Sequence, residues 1–233
     1  MRVYFVTLLS LVSLAGSMQF AAADEKADAL LKQVGAAYLK LQTFSADFTW
    51  MSSDGRKKTT GAGRIKLKKP NLAFIDLSKQ SNETIVLDGQ NVYRYSKSSN
   101  TYHKAPSRPI PGKELGMPDF TVFYSGNAAD IGTRSLKPDR AARYAGVEVW
   151  KGRRFQVIEY LQLRPMYHKR RLFIGPNNLI ERIVYADNWR AQPTWTDFQL
   201  TNVRADAPLA DTVFTFTPPK GAKQISWPGK IWP

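Results

Sequence analysis

The chain has 233 residues, with 34 lysines and arginines against 19 aspartates and glutamates, and its formal net charge is +15 at neutral pH. It contains no cysteine, which excludes a thiolate nucleophile, a disulfide framework and a lipid attached to the chain itself. A surface this basic attracts nucleic acid, anionic lipid or anionic cell-wall polymer, although the charge also serves simply to keep a protein soluble.

The first 23 residues predict a cleaved signal peptide. Arg2 supplies the positive start, Val3–Ala15 is an apolar run, and Ala21–Ala23 provides the small residues of a cleavage site. A membrane anchor is the alternative, but the apolar run is short for a bilayer. We therefore expect export to the periplasm, where nucleic acid is not a partner. The predicted domains are the signal peptide 1–23 and a single domain 24–233, which loses only the charge of Arg2 and keeps +14.

An amphipathic helix is predicted from about Glu25 to Leu41. Asp24 and Glu25 at its start suit the positive end of the helix dipole. Its apolar positions recur with helical spacing, so that one face needs a partner such as a sheet. These positions are Ala27, Leu30, Leu31, Val34, Tyr38 and Leu41.

Strands are predicted through most of the remaining chain. Phe44–Trp50 alternates apolar and polar residues, Gly61 and Gly63 indicate sheet curvature rather than a nucleotide loop, and Asp88-Gly89 is a tight hairpin signal. The further strands are Lys57–Lys68, Leu72–Ser78, Glu83–Leu87, Val92–Ser96, Val147–Trp150, Arg154–Gln162, His168–Ile174, Ile180–Ala186, Thr194–Asn202 and Val213–Thr217. About eleven strands predict a mainly β (α+β) fold, a single curved antiparallel sheet or incomplete β-barrel with an N-terminal helix and a helical lid.

Prolines interrupt this pattern between Pro106 and Pro118. The apolar residues that follow have helical spacing at Phe120, Phe123 and Tyr124, and they fit either a buried core helix or a lid over a cavity. The last eight residues contain two Trp-Pro pairs, which either cover a sheet edge or touch a membrane surface.

No catalytic motif is visible. The two histidines, His103 and His168, are far apart in sequence, and neither a metalloprotease, a nucleophile-elbow nor a Walker pattern occurs. A catalytic His168 with Asp187 or Glu159 is the weaker alternative. The sequence favours a binding protein over an enzyme, and we expect no cofactor and no metal.

An apolar cavity is the binding site that the aromatic residues suggest, although they fit a packed core equally well. A sheet curved around a helix can enclose such a cavity, which suits acyl chains. The candidate cavity and lid residues are Phe48, Trp50, Phe74, Tyr93, Tyr95, Leu115, Phe120, Phe123, Tyr124 and Trp195.

Four segments resemble the periplasmic lipoprotein carrier family LolA. They are Lys68–Leu72 (KKPNL), Val86–Gln90 (VLDGQ) with the tyrosines that follow it, Thr43–Thr49 (TFSADFT) and Phe214–Ala222 (FTFTPPKGA). They occur in the family's order and near both ends of the mature chain. The middle, about 106–143, is closer to an uncharacterised group of predicted periplasmic proteins in the same LolA/LolB-like superfamily.

This resemblance implies an incomplete barrel with a helical lid over a lipid-binding cavity. We therefore expect a monomeric carrier of lipid or lipoprotein acyl chains, with envelope donor and acceptor proteins and an anionic membrane surface as candidate partners. Lys69 stands where the family has an arginine that holds the lid closed. Since lysine lacks the forked hydrogen bonds of a guanidinium, it should hold the lid more weakly. The superfamily also includes envelope-stress regulators, so a protein-binding sensor is the alternative.

Overall fold

The computed structural model describes residues 24–79, 81–107, 120–128, 142–162, 167–189 and 192–226. The predicted signal peptide, Leu115, the Pro109, Pro111 and Pro118 positions and the Trp-Pro tail lie outside these residues. Within them, no helix combines the length and the apolar character that crossing a bilayer requires.

The predicted N-terminal helix is α1 (Glu25–Lys40). Asp24 caps it, because its Oδ1 accepts hydrogen bonds from the backbone of Lys26 (3.1 Å) and Ala27 (3.0 Å). The apolar positions recognised in the sequence form its buried face.

Twelve strands and a second, five-residue helix α2 (Thr121–Ser125) make up most of the rest of the described chain. The strands are β1 (Thr43–Ser53), β2 (Lys58–Lys68), β3 (Leu72–Leu77), β4 (Glu83–Asp88), β5 (Asn91–Ser96), β6 (Thr101–Pro106), β7 (Ala142–Trp150), β8 (Arg153–Gln162), β9 (Tyr167–Ile174), β10 (Ile180–Trp189), β11 (Gln192–Ala205) and β12 (Lys223–Ile225).

The strands form one curved, unclosed sheet in the order β12-β6-β5-β4-β3-β2-β1-β11-β10-β9-β8-β7. Every neighbouring pair is antiparallel except β12 and β6, which are parallel. The predicted mainly β fold, with one curved antiparallel sheet and an N-terminal helix, is confirmed.

Two segments differ from the prediction. The strand predicted at Val213–Thr217 is wrong, because this segment pairs with no strand and forms a 3₁₀ helix, Asp211–Phe214, followed by extended chain. Strand β6 was not predicted, since its sequence TYHKAP lacks apolar alternation. It forms because β5 offers it a complete antiparallel partner.

The two faces of the sheet have different covers. The face beneath α1 carries the main core, including Phe44, Phe48, Ile65 and Leu67, and is called the inner face below. Gly63 lies opposite Phe48 across the β1–β2 pair. A Cβ there would be 2.9 Å from Phe48 Cε1 and closer still to Cζ, so the missing side chain makes room for the phenyl ring.

The opposite, outer face is covered in its first half by residues 206–226, which we call the C-terminal strap. Phe214 of the strap is buried. The Phe216 ring centroid lies 4.9 Å from that of Tyr93, 5.9 Å from that of Tyr95 and 5.4 Å from that of Tyr102. Along β8–β10 the outer face instead carries a small apolar cluster that contains Phe155, Val157 and Phe173.

Candidate functional site

Helix α2 fills part of the inner face with apolar side chains. Phe120, Val122 and Phe123 are 5%, 2% and 0% exposed. The Phe120 ring lies 6.1 Å from Phe44 and 6.3 Å from Phe198, and Phe123 lies 6.4 Å from Phe44, between ring centroids. The segment predicted as either a core helix or a lid is therefore packed into the core in this structure.

Two glycines allow α2 to approach α1 closely. Helix α2 ends at Gly126, whose φ is +68° and whose N–H donates to Val122 O at 2.8 Å. A Cβ at Gly35 of α1 would overlap the carbonyl oxygen of Gly126, and a Cβ at Gly126 would overlap the Leu39 side chain. A side chain at position 35 would therefore separate the two helices, and one at position 126 would require Leu39 to be smaller.

Tyr124 ties α2 to the sheet. Its hydroxyl donates a 2.7 Å hydrogen bond to the carbonyl oxygen of Leu72 at the start of β3. Burial raises the pKa of the Tyr124 phenol above its ordinary value of 10.0, so that the group stays protonated and able to donate at neutral pH.

Lys69, in the turn after β2, joins the two helices. Its Nζ donates to the carbonyl oxygens of Tyr38 (3.0 Å) and Leu39 (2.6 Å) in the last turn of α1, where a cation is favoured by the helix dipole. The same Nζ lies 5.2 Å from the centre of the Phe123 ring of α2. Burial lowers the pKa of Lys69, and the nearby Asp206 carboxylate acts in the opposite direction.

Tyr38 fixes the end of α1 that Lys69 contacts. Its ring lies 6.0 Å from Phe44, and its hydroxyl accepts a 3.3 Å hydrogen bond from the N–H of Ile180. Burial raises the pKa of Tyr38. The Lys69 ammonium therefore lies between the last turn of α1 and the Phe123 ring of α2.

Five predicted cavity or lid residues meet on the inner face. Phe48 is buried and stacks on Phe198 at 5.5 Å, and Trp50 packs against the same core. The other three are residues of the α2 segment already described, Phe120, Phe123 and Tyr124.

Four others do not join this group, which corrects the predicted set. Phe74 alternates with the buried inner-face residues Ala73 and Ile75 and has Lys66 above its ring at 5.8 Å. Tyr93 and Tyr95 face the strap. Trp195 alternates with Phe198 of the inner face and so lies on the outer face with Asp197. There the Asp197 carboxylate pairs with Arg182 at 2.8 Å.

The residues that complete the site include three that were not singled out for it. Phe44 continues the inner alternation of Phe48, so its position was readable from the strand pattern. The sequence indicates the packing roles of Gly35 and Gly126 less clearly. A glycine inside a helix costs about 1 kcal/mol relative to alanine, which indicates a packing reason at Gly35.

The candidate residues of the catalytic alternative lie on strands β6, β8, β9 and β10. His103 Nδ1 lies 2.6 Å from the carbonyl oxygen of Ser226 in the strap. Burial would raise the pKa of Glu159, but Lys169 and Arg143 lower it overall. His168 and Asp187 are cross-strand partners on β9 and β10. No three histidine, aspartate or glutamate side chains converge as a metal site in the part of the chain described.

Comparison with known proteins gives a family match and several distant relatives. The family model for the outer membrane lipoprotein carrier protein LolA matches residues 39–110, from the end of α1 to just beyond β6. An outer-membrane lipoprotein carrier protein of Methylibium petroleiphilum is 26% identical over 190 residues, which are 80% of this chain and 84% of that protein.

An uncharacterised protein of Methanocaldococcus jannaschii is 23% identical over 227 residues, 96% of this chain but 61% of that protein, so the chain spans less than two thirds of this relative. A crystal structure of an uncharacterised conserved protein from Thermus thermophilus superposes with a TM-score of 0.56 at 10% identity, covering 87% of this chain and 99% of the other. This likeness concerns the fold alone.

Proposed function

We propose that this chain, which the carrier family's model matches over residues 39–110, is an exported protein that binds lipid or lipoprotein acyl chains without covalent chemistry. The chains would lie on the inner face, in the place now taken by Phe120, Val122 and Phe123. The observation that carries this proposal is that α2 covers the inner face with the buried apolar side chains of Phe120, Val122 and Phe123.

The energies favour exchange of α2 for a long chain. Exposing Phe120, Val122 and Phe123 to water costs about 2 kcal/mol each, roughly 6 kcal/mol together. A chain of about fifteen CH₂ groups gains about 12 kcal/mol on leaving water, at about 0.8 kcal/mol for each group. One long acyl chain therefore outweighs the loss of α2 packing before the entropy of binding is counted.

Lys69 and Tyr124 then set how easily α2 leaves. Both contact backbone carbonyls, of α1 and of β3, rather than charged side chains. A lysine is a point charge without the fork of an arginine, so its contact holds α2 less rigidly. In this proposal Lys69 takes the place of the family's arginine as the contact that keeps the lid closed.

A protein-binding sensor on the same fold is the second candidate. It is favoured by the filled inner face, because the buried α2 side chains leave the apolar surface already covered. Such a protein would recognise a partner with its surface and would carry no lipid.

Native mass spectrometry distinguishes the two candidates. The full chain, expressed with its leader and purified from the periplasmic fraction without detergent, should carry a reproducible bound mass that organic extraction removes. A ligand-free mass that persists after incubation with phospholipid and acylated lipoprotein would contradict the carrier proposal and favour the sensor.

A further inference from the structure

The hairpin of β1 and β2 extends beyond β3 on one side, while on the other side β1 stays paired with β11 as far as Ser53 and Trp195. Strand β2 pairs with β3 only from Arg64 to Lys68, whereas its pairing with β1 continues as far as Lys58. Residues 58–63 therefore have no β3 partner. The turn that joins the two strands, residues 54–57, is exposed throughout.

The turn itself is ordered by its own side chains. Asp54 Oδ1 accepts hydrogen bonds from the N–H groups of Arg56 (2.9 Å) and Lys57 (2.7 Å), and Ser53 Oγ accepts one from Gly55 (3.2 Å). Asp54 is thus engaged by the backbone of the turn. The side chains of Arg56 and Lys57, and of Lys58 after them, are presented from a fixed loop.

Basic charge is concentrated in this hairpin. Between Phe48 and Ile75 the sequence has seven lysines and arginines and a single acid, Asp54. On the outer face, cations are neutralised by carboxylates, such as Arg64 by Asp76 at 3.0 Å. Arg56, Lys57 and Lys58 form no salt bridge with any residue that the structure describes.

We propose that residues 53–58, called the basic hairpin, dock the protein on an anionic phospholipid bilayer. Three adjacent cations that form no described salt bridge, on an exposed polar turn, suit a diffuse anionic surface. They offer neither an apolar groove for a peptide nor aromatic rings for stacking bases. The inference rests on the proposed function only for its purpose, which is to bring the lipid-binding face to a membrane.

The test compares two triple variants of equal charge. Arg56→Gln/Lys57→Gln/Lys58→Gln removes the charges of the basic hairpin. The control, Lys32→Gln/Lys79→Gln/Lys97→Gln, removes three exposed charges from α1 and from the β3–β4 and β5–β6 turns. Binding is measured by sedimentation with vesicles of 70% phosphatidylcholine and 30% phosphatidylglycerol, with pure phosphatidylcholine as the neutral surface.

The hairpin variant should bind anionic vesicles about 100-fold more weakly than the unaltered chain, and the control less than tenfold more weakly. Raising the salt concentration should remove the difference, since exposed charges are screened. Equal losses in the two variants, or no loss in the hairpin variant, would overturn the proposal.

The bound ligand separates this proposal from the proposed function. Native mass spectrometry of the hairpin variant should still show the lipid mass, because none of the described contacts of α2 involves residues 53–58. If the purified protein carries no ligand but its vesicle binding still depends on the basic hairpin, the lipid-binding function is refuted and the docking proposal is supported. Melting temperatures within a few degrees of the unaltered chain verify that both variants fold.

Discussion

Helix α2 and the C-terminal strap cover opposite faces of the same sheet with aromatic side chains, but they are attached differently. The strap is tied at both ends. Asp206 accepts from the N–H groups of Gln42 (2.7 Å) and Thr43 (3.2 Å), and β12 pairs with β6. Between these ends, Lys68 Nζ donates to Asp211 at 2.5 Å.

In the part of the chain that the structure describes, helix α2 contacts the sheet through side chains. The Tyr124 hydroxyl of α2 donates a hydrogen bond to the Leu72 carbonyl oxygen of β3. The Phe123 ring of α2 contacts the Lys69 ammonium. Among the described contacts, the strap is therefore held by backbone pairing, whereas α2 is held to the sheet by packing and side chains. Under the proposed function, this difference makes α2 the cover that exchanges with a ligand.

A crosslink between the helices gives the largest expected effect. In the double variant Leu39→Cys/Gly126→Cys, the two cysteines would lie close together, because a Cβ at position 126 would overlap the present Leu39 side chain. The chain has no other cysteine. Oxidation should abolish uptake of a fluorescent fatty acid, and reduction should restore it.

The single variant Leu39→Cys, treated with the same oxidant, is the control for this crosslink, because Gly126→Cys alone would place its Cβ against the Leu39 side chain. Undiminished uptake by the oxidised double variant, with the disulfide verified by mass, would mean that α2 does not move when lipid binds.

Removing one buried ring from the strap and one from α2 tests whether the two covers differ in how firmly they are attached. Phe214→Ala in the strap should lower the free energy of unfolding by about 3–4 kcal/mol, as expected for a buried phenylalanine. Phe123→Ala in α2 should lower global stability by less, because α2 can detach while the sheet remains folded. Urea denaturation measures both values.

Hydrogen exchange supplies the second half of this comparison. The Gly126 amide, bonded to Val122 in α2, should exchange faster in Phe123→Ala, while the amides of β3 and β4 keep their protection. Equal global losses in the two variants, without faster exchange in α2, would show that α2 is as permanent as the strap.

Lys69 variants test the contact between the helices with a smaller expected effect. Lys69→Ala removes two hydrogen bonds from a partly exposed cation and should weaken closure by about 1 kcal/mol. If the closed form excludes lipid, apparent affinity for a fluorescent fatty acid should rise about fivefold. Lys69→Arg should lower the affinity, since the rigid fork of a guanidinium supplies more N–H donors than an ammonium and should hold the two α1 carbonyls more firmly. Equal affinities in all three proteins would exclude a role for Lys69 in closing the lid.

Alkaline pH gives the smallest effect and tests the Tyr124 contact. The folded-state pKa of this buried phenol lies above its ordinary value of 10.0, so the unfolded chain ionises first. Its contribution to stability is complete below pH 10 and decreases as the pH rises further. Tyr124→Phe should lose about 1 kcal/mol at pH 7 and show a shallower decline between pH 10 and 11.

Tyr38, whose pKa is raised in the same direction, provides the matched comparison because it belongs to α1. Its phenylalanine variant should show the same shallower decline without faster exchange at Gly126. Urea denaturation at each pH measures the free energy of unfolding. If its pH dependence in Tyr124→Phe equals that of the unaltered chain, the proposed contribution of the Tyr124 phenol is contradicted.

Much of the site could be read from local pattern. The inner-face position of Phe48 follows from alternation in β1, and the helical spacing of Phe120 and Phe123 marked α2. The same alternation, applied to β3, would have separated Phe74 from Ala73 and Ile75. The partners of Tyr93 could not be read in this way, because Phe216 comes from a strap more than a hundred residues away in sequence.

The sequence by itself determined the elements whose causes are local. Helix α1 begins at Asp24 because a carboxylate caps its first N–H groups, and most strands follow from period-two alternation. Only the tertiary structure decided what depends on distant partners. Val213–Thr217 alternates like a strand but finds no ladder to join, while β6 lacks the pattern and pairs because β5 is beside it. The hydrogen bonds of Lys69 likewise depend on the tertiary structure, because the α1 carbonyls that accept them are about thirty residues earlier in the chain.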